Sequence, residues 1–238
     1  MNIGLLGYGK MGKSIEQIAL ERGHHIPLKT TSTTRDINFK KVDVAIDFSL
    51  PSVAATNIKK ALDAQIPVIS GTTGWLDQYN DVVAYCKAKN GTFLYASNFS
   101  LGVNLFFEIN KQLAQLMAPF KDYSAEIEEI HHTEKLDAPS GTAISLADAI
   151  IDHSHYKQWQ LEEKSTKNKG ADTLNIVAQR EANISGIHEI TYASSIDSIS
   201  LKHTAYSRKG FALGAVIAAE WIKDKQGVFT MKDVLNIK

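Results

Sequence analysis

A single cysteine, five prolines, an aromatic share of only 8% and a formal net charge of zero set the first limits on this 238-residue chain. Cys86 has no partner for an internal disulfide, which excludes the disulfide-stapled secreted scaffolds and fits a reducing compartment. Lysine and arginine number 26, as do aspartate and glutamate, so bulk charge draws the chain to neither nucleic acid nor an anionic membrane. The longest strongly apolar run, Phe211 to Ala219, falls short of a bilayer span. No basic region followed by an apolar stretch and a cleavage site opens the sequence, so no signal peptide is expected. What remains, 44% hydrophobic and 22% charged residues, is the mixture of a globular protein able to bury a full core in one or two domains.

Asn2 to Leu6 is a short apolar run leading into Gly7-Tyr8-Gly9-Lys10-Met11-Gly12, a G-x-G-x-x-G directly after a strand-like segment. Ile15, Ile18 and Ala19 then recur at helical spacing up to Gly23, a helix-ending residue. In a dinucleotide site Gly7 allows the tight turn, Gly9 the approach of a pyrophosphate and Gly12 close helix–strand packing. A glycine-rich turn in another α/β protein is the alternative. The acidic residue that commonly follows the second strand to bind a ribose hydroxyl is missing: His25 to Ser32 has none before Asp36. Lys29, with Thr30, Thr31, Ser32 and Arg35, could instead accept a 2′-phosphate, which predicts NADPH used at least as well as NADH.

Val42 to Phe48 reads as a third, buried strand, and Pro51 opens a helix carrying Ala54, Ile58, Ala61 and Leu62. Ile66 to Ile69 and Thr92 to Ala96 read as further strands, with a helical pattern from Trp75 to Ala88 between them. Strands alternating with helices imply parallel βαβ units, in which ligands bind beyond the carboxyl ends of the strands. Gly7–Gly12, Phe48-Ser49, Gly71-Thr72-Thr73-Gly74 and Ala96-Ser97-Asn98-Phe99 all follow strands, so one sheet edge should gather them around one dinucleotide.

In the second half, Phe106, Ile109, Leu113, Leu116 and Met117 form a helical apolar stripe read as core. Ser124 to Ile144 then runs from an extended segment, Ala125 and Ile127 alternating with Glu126 and Glu128, through His131, His132 and Lys135 into the turn Asp137-Ala138-Pro139-Ser140-Gly141. Ile144, Ala147 and Ile151 continue at helical spacing. Free N–H groups at such a helix start, near Gly141 and Thr142, suit a carboxylate or phosphate, and histidine and lysine suit proton transfer. A polar surface loop is the alternative. His153, His155, Trp159 and Glu162 to Asp172 read as a mobile, solvated loop. No histidine spacing resembles a zinc signature, and no metal site is expected. Leu174-Ile176-Ala178, Ile187–Ala193 and Ile199–Ala205 are strand-like and, with the Ser124 strand, make a four-stranded sheet broad enough to pack on another copy. Phe211 to Trp221 is an alanine-rich helix, and Gly227 to Ile237 should dock back on the first domain.

GYGKMG, IDFS, GTTG, ASNFSLGVN, EIHHTEKLDAPSGTA, SGIHEI and HTAYSRKGFALGA, in this order along nearly the whole chain, resemble the 4-hydroxy-tetrahydrodipicolinate reductase (dihydrodipicolinate reductase) family. The resemblance implies an α/β chain with a Rossmann-type parallel-sheet nucleotide domain, residues 1–100 and 208–238. It implies a second α/β domain with a mixed four-stranded open sheet for substrate binding and oligomerisation, residues 101–207. It further implies a cytoplasmic homotetramer that uses NADPH or NADH to reduce a small dicarboxylate in lysine biosynthesis. By the same resemblance His131 and Lys135 are catalytic, and His132, Gly141 and Thr142 bind substrate. Gly7, Tyr8, Gly9, Lys10, Met11, Gly12, Gly71, Thr72, Thr73, Ala96, Ser97, Asn98 and Phe99 line the cofactor, to which the residues after the second strand add Lys29. The chain departs from the pattern in its missing acidic residue, a glycine turn one residue shorter than in many relatives, and Leu50 where some place an arginine; all three bear on cofactor preference. An aspartate dehydrogenase-like enzyme sharing only the nucleotide half, and a non-catalytic NADPH-binding regulator, are the rival readings.

Overall fold

The computed structural model describes residues 1–162, 172–207 and 209–237. In chain order the elements are β1 (Asn2–Leu6), α1 (Lys10–Glu21), β2 (His25–Thr30), β3 (Val44–Asp47), α2 (Pro51–Asp63), β4 (Val68–Ser70), α3 (Tyr79–Ala88), β5 (Thr92–Tyr95) and α4 (Leu101–Met117). There follow β6 (Ser124–His131), α5 (Gly141–Ile151), β7 (Gln158–Glu162), β8 (Thr173–Arg180), β9 (Gly186–Ala193), β10 (Ser198–Ala205), α6 (Lys209–Ile222), β11 (Gly227–Phe229) and α7 (Met231–Val234). The chain divides into two compact units, Met1–Asn104 with Lys209–Lys238, and Leu105–Arg208.

The first unit is built on a six-stranded parallel sheet, β11-β5-β4-β3-β1-β2. Its central strands are buried on both faces: all of β3 and all of β4 are buried, with only Asp47 and Ser70 polar among them. Alternation deals their side chains to two cores. Ile3, Leu5, Val44, Ile46, Ile69 and Leu94 meet α1 and the small-residue face of α6, where Ala212, Ala215, Ala218 and Ala219 allow close approach. Leu6, Ala45, Val68 and Phe93 meet α2 and α3 from the other side. Local signals set the element ends. Gly23 takes φ +78 after α1, where His24 N–H closes onto the Ala19 carbonyl at 2.9 Å, and Pro51 occupies the first turn of α2. The expected helix from Trp75 begins instead as a 3₁₀ turn, Leu76–Gln78, before α3. The C-terminal segment returns to this unit as expected, and does so as a sixth strand, β11, paired with β5.

The second unit carries a mixed sheet, β10-β9-β6-β8-β7, with β6 antiparallel to β9 and parallel to β8. It has five strands where four were expected. The additional one is β7, read from sequence as loop; its polar sequence QWQLE pairs in parallel with β8 at the sheet edge, and Trp159 packs against the core. The rest of that expected loop, residues 163–171, lies outside the described residues. Ala125, Ile127, Leu174, Ile176, Ile190 and Tyr192 face α5 and the second half of α4. Both helices turn a slightly different side inward than expected. On α5 the buried residues are Ala143, Leu146, Ala147 and Ile150, with Ile144 and Ile151 rotated toward the rim. On α4 Phe106, Ala114 and Met117 are buried, while Ile109 and Leu116 are 48% and 69% exposed, so the stripe is not all core.

Candidate active site

Four loops follow strands whose last residues stand side by side: Leu6 is in register with Asp47, Asp47 with Ser70, and Ser70 with Tyr95. The Gly7–Gly12 turn, Phe48-Ser49, Gly71–Gly74 and Ala96–Phe99 therefore emerge on one edge of the sheet. That edge includes the point between β1 and β3 where the strand order reverses, the usual place for a ligand in such sheets. The three glycines behave differently. Gly7 has φ +99, and a Cβ there would lie 2.1 Å from the Phe48 carbonyl oxygen. On Gly12 it would lie 2.4 Å from the Gly7 carbonyl oxygen. A Cβ on Gly9 would meet nothing within 4 Å, which leaves the start of α1 open to an incoming group.

Asp47 ties these loops together. Its buried carboxylate accepts from Ser49 Oγ (2.7 Å), Thr72 Oγ1 (2.7 Å), Ser70 Oγ (2.9 Å) and Asn57 Nδ2 (3.4 Å). Burial pushes its pKa up, and these hydrogen bonds oppose that. Thr72 thus spends its hydroxyl inside the edge, and its Oγ1 also accepts from the Ser49 N–H at 2.9 Å. Phe99 is 1% exposed and belongs to the core, so only its backbone can reach a ligand; Ser97 and Thr73 are exposed. Lys29 pairs with Glu16 and lies 4.9 Å over the Tyr8 ring, whose hydroxyl donates to the same glutamate. Tyr8, Lys10, Met11 and Lys29 therefore share the α1 end of the edge. Ala96 and Asn98 follow β5, and the Asn98 side chain accepts from the Ser100 N–H.

In the second unit β6 buries alternate residues: Ala125, Ile127, Glu129 and His131. Glu129 is thus a carboxylate in an apolar register, with 0% exposure. Both its oxygens accept from the Ser140 N–H at 3.1 Å. Three cationic or titratable groups surround it: Arg180 Nη1 at 3.5 Å, His131 Nδ1 at 3.6 Å and His188 Nε2 at 3.6 Å. Burial raises the Glu129 pKa, but the His188 and Ser140 hydrogen bonds and the His131 charge outweigh it and hold it at about 2. Burial drives His131 down to about 4; Glu129 opposes this, while His188, Lys135 and Arg180 add to it. The His131 and His188 rings stand edge to face, 5.0 Å apart, and Gly186 leaves room for the His131 ring. Glu129, His131 and His188 are also metal-donor types close together. The carboxylate, however, is already engaged by an amide and faces a guanidinium, so the cluster is balanced without an ion.

Lys135 Nζ lies 2.7–2.8 Å from the Asp137 carboxylate. Ser140 caps α5, its Oγ accepting from the Ala143 N–H at 3.1 Å. The amides of Gly141 and Thr142 then have no intrahelical acceptor, and a Cβ on Gly141 would meet nothing within 4 Å. His132 is half-buried beyond the end of β6, with its Nδ1 unpaired among the described residues. One unit therefore brings together His131, His132, Lys135, Gly141 and Thr142. It adds Glu129, His188, Arg180 and Gly186, which were not singled out from sequence. Glu129 was detectable: it lies in phase with Ala125 and Ile127.

The N-terminal dihydrodipicolinate reductase family model matches residues 25–99, and the C-terminal one matches residues 102–235. The chain belongs to the dihydrodipicolinate reductase family. It is thereby an oxidoreductase, and the match over its second half removes the aspartate dehydrogenase-like alternative, which needs only the nucleotide half. Among dihydrodipicolinate reductase relatives, the 4-hydroxy-tetrahydrodipicolinate reductase of Christiangramia forsetii is 54% identical over 239 residues, 99% of this chain and 98% of its own. The Rickettsia bellii enzyme of the same name is 36% identical over 242 residues, covering 98% and 94%. The dipicolinate-bound dihydrodipicolinate reductase of Paenisporosarcina sp. TG-14 shares the fold, with a TM-score of 0.75 over 97% of both chains at 20% identity. No helix among the described residues is long and apolar enough to cross a membrane.

Proposed function

We propose that the chain reduces 4-hydroxy-tetrahydrodipicolinate to tetrahydrodipicolinate in the diaminopimelate route of lysine biosynthesis, using NADPH or NADH. The observation that carries this reading is the second-unit cluster: an imidazole, an ammonium and an open helix start within one short stretch, in a chain 54% identical over its whole length to an enzyme of that name. The first unit fits a dinucleotide at the sheet edge. Gly9 and the start of α1 are open to a pyrophosphate, and the Gly71–Thr73 and Ala96–Phe99 backbones border the same edge. When bound there, the dinucleotide supplies a hydride.

The chain's own residues handle charge and protons. The amides of Gly141 and Thr142 bind one substrate carboxylate, and His132 contacts the ring. Lys135 leaves Asp137 and donates its proton as negative charge develops toward the ring nitrogen. His131, neutral at pH 7 in the free protein, assists proton transfer and loss of the hydroxyl as water. General acid–base help of this kind is worth roughly 10²–10⁴-fold in rate. Lys29 takes a 2′-phosphate in exchange for Glu16, so NADPH is used at least as well as NADH. The protein is a cytoplasmic homotetramer, and the exposed strand β10, where Ile199 is 44% exposed, supports a contact between copies.

The test follows nicotinamide absorbance with substrate made in situ by the preceding synthase, using each cofactor in turn. Lys135→Ala should lower kcat by about 10²-fold or more while NADPH affinity holds. A variant at wild-type kcat defeats the role, and a strong preference for NADH defeats the Lys29 assignment.

A further inference from the structure

Two carboxylates among the described residues, Asp47 and Glu129, have no exposure at all. Asp47 ties the nucleotide-side loops. Glu129 has no part in the mechanism above, yet it sits where three separate pieces of that mechanism meet. We propose that Glu129 is a positioning residue for the reaction, acting with Arg180 and His188 to hold the His131 ring, the Lys135 loop and the start of α5 as one rigid group. This rests on the roles proposed above for His131, Lys135 and the α5 amides.

The argument is one of connection. Between the end of β6 and the start of α5 the chain runs through eight residues, His132 to Pro139 and then the cap Ser140, without regular structure. Nothing in that segment's own backbone correlates the strand that carries His131 with the helix start that offers its amides. Glu129 makes the correlation directly, since the N–H it accepts belongs to Ser140, the residue that caps α5. Arg180, in register with His131 on β8, straps the intervening loop. It donates to the Lys135 carbonyl at 3.2 Å and the Asp137 carbonyl at 2.6 Å, with its guanidinium 3.5 Å from Glu129. His188, paired with Glu129 across β6 and β9, completes the ring of contacts, its Nε2 lying 3.1 Å from Ser140 Oγ and its ring against His131. The SGIHEI motif thereby gains a purpose: Gly186 gives the His131 ring its space, and His188 gives Ser140 and Glu129 a partner. An apolar side chain would fill the Glu129 position at lower cost than a buried charge. What it could not do is accept the Ser140 amide and, from His131's own strand, oppose the other groups facing that ring, which are Arg180 on β8, His188 on β9 and Lys135 on the loop.

The test uses the full-length enzyme with Glu129→Gln, Glu129→Asp, Arg180→Gln and, as a reference, His131→Gln. Misplacement of reacting groups by about 1 Å costs on the order of 10²-fold, and Glu129→Gln is expected to lose that in kcat while the NADPH dissociation constant stays within about twofold. Its acid limb in the pH profile of kcat/KM should move to lower pH, because Glu129 is the group that raises the His131 pKa. Glu129→Asp should return the limb toward the wild-type position. A wild-type kcat in Glu129→Gln, or a lower kcat with an unmoved limb, overturns the proposal in favour of a packing role. Should Glu129→Gln fail to fold, Arg180→Gln decides: a loss of about tenfold or more in kcat at unchanged NADPH affinity supports the strap, and wild-type kcat overturns it. If His131→Gln itself keeps wild-type kcat, it is the proposed reaction chemistry, not the positioning, that has failed.

Discussion

The protonation of His131 links the site to the stability of the fold. Its folded pKa is about 4, lowered by burial, against roughly 6.5 for an unperturbed histidine. Between those values the unfolded chain takes up a proton that the folded chain refuses, so stability falls as pH drops from 6.5 to 4. Glu129 acts in a lower window. Its folded pKa is held at about 2 despite burial, against roughly 4.3 unfolded, so its stabilising contribution is present above that upper value and is lost as pH falls through 2. His203 on β10, also lowered by burial, adds to the upper window. Thermal melts of the wild type should therefore show Tm declining already between pH 6.5 and 4.5. His131→Gln should flatten part of that decline, leaving the share due to His203. A Tm that is level over the window in the wild type would contradict a neutral, buried His131.

At the scale of elements, the open start of α1 is separable from the packing around it by single methyl groups. Gly9→Ala adds a Cβ where nothing lies within 4 Å, and Gly12→Ala adds one 2.4 Å from a backbone oxygen. The first should keep Tm and weaken NADPH binding. The second should lower stability by about 1–3 kcal/mol, the usual cost of overpacking, with calorimetry and NADPH titration as the two readouts. Identical behaviour of the two variants would refute the division of labour. The tight packing at Gly7 and Gly12 and the open space at Gly9 were legible in the sequence because a G-x-G-x-x-G after a strand leaves the backbone few options. The helix faces were less so. On α4 and α5 apolar residues occur on more than one side, and a rotation of one position, from Ile144 to Ala143 or from Ile109 to Asn110, suffices to misplace the core side. Strand β7 escaped because its alternation, Trp159 and Leu161 set between Gln158, Gln160 and Glu162, spans only five residues and runs into the polar stretch read as loop. Glu129 lay in plain view: the alternation of Ala125 and Ile127 extends to it, and an acidic residue in a buried phase is the signal of a paired charge.

For the molecule as a whole, the first unit is discontinuous in sequence, closed by a helix that arrives more than a hundred residues later. Ala212, Ala215, Val216, Ala218, Ala219 and Ile222 of α6 fill the same core as Ile3, Leu5, Val44 and Ile46, and the backbone carbonyl of Phe99 lies so close that a Cβ on Gly214 would fall 1.7 Å from it. Residues 1–104 alone would thus expose the part of that sheet face which α1 does not cover. The order of strands and helices was readable from their alternation, and so was the return of the C-terminus. Its pairing as β11 was not, since Gly227-Val228-Phe229 is too short to carry a pattern. If the dinucleotide site belongs wholly to this unit, residues 1–104 joined to 209–238 should suffice for it. The join is short, because a Cβ on Gly210 would lie 3.6 Å from Ser100 Oγ, near the start of α4, and a flexible Gly/Ser linker would bridge the cut. The joined chain should melt cooperatively and bind NADPH within about tenfold of the full chain, a difference of roughly 1.4 kcal/mol, without turning over substrate. A chain that folds cooperatively yet binds no NADPH would show that the sheet edge is not sufficient, and that residues between 105 and 208 hold part of the nucleotide.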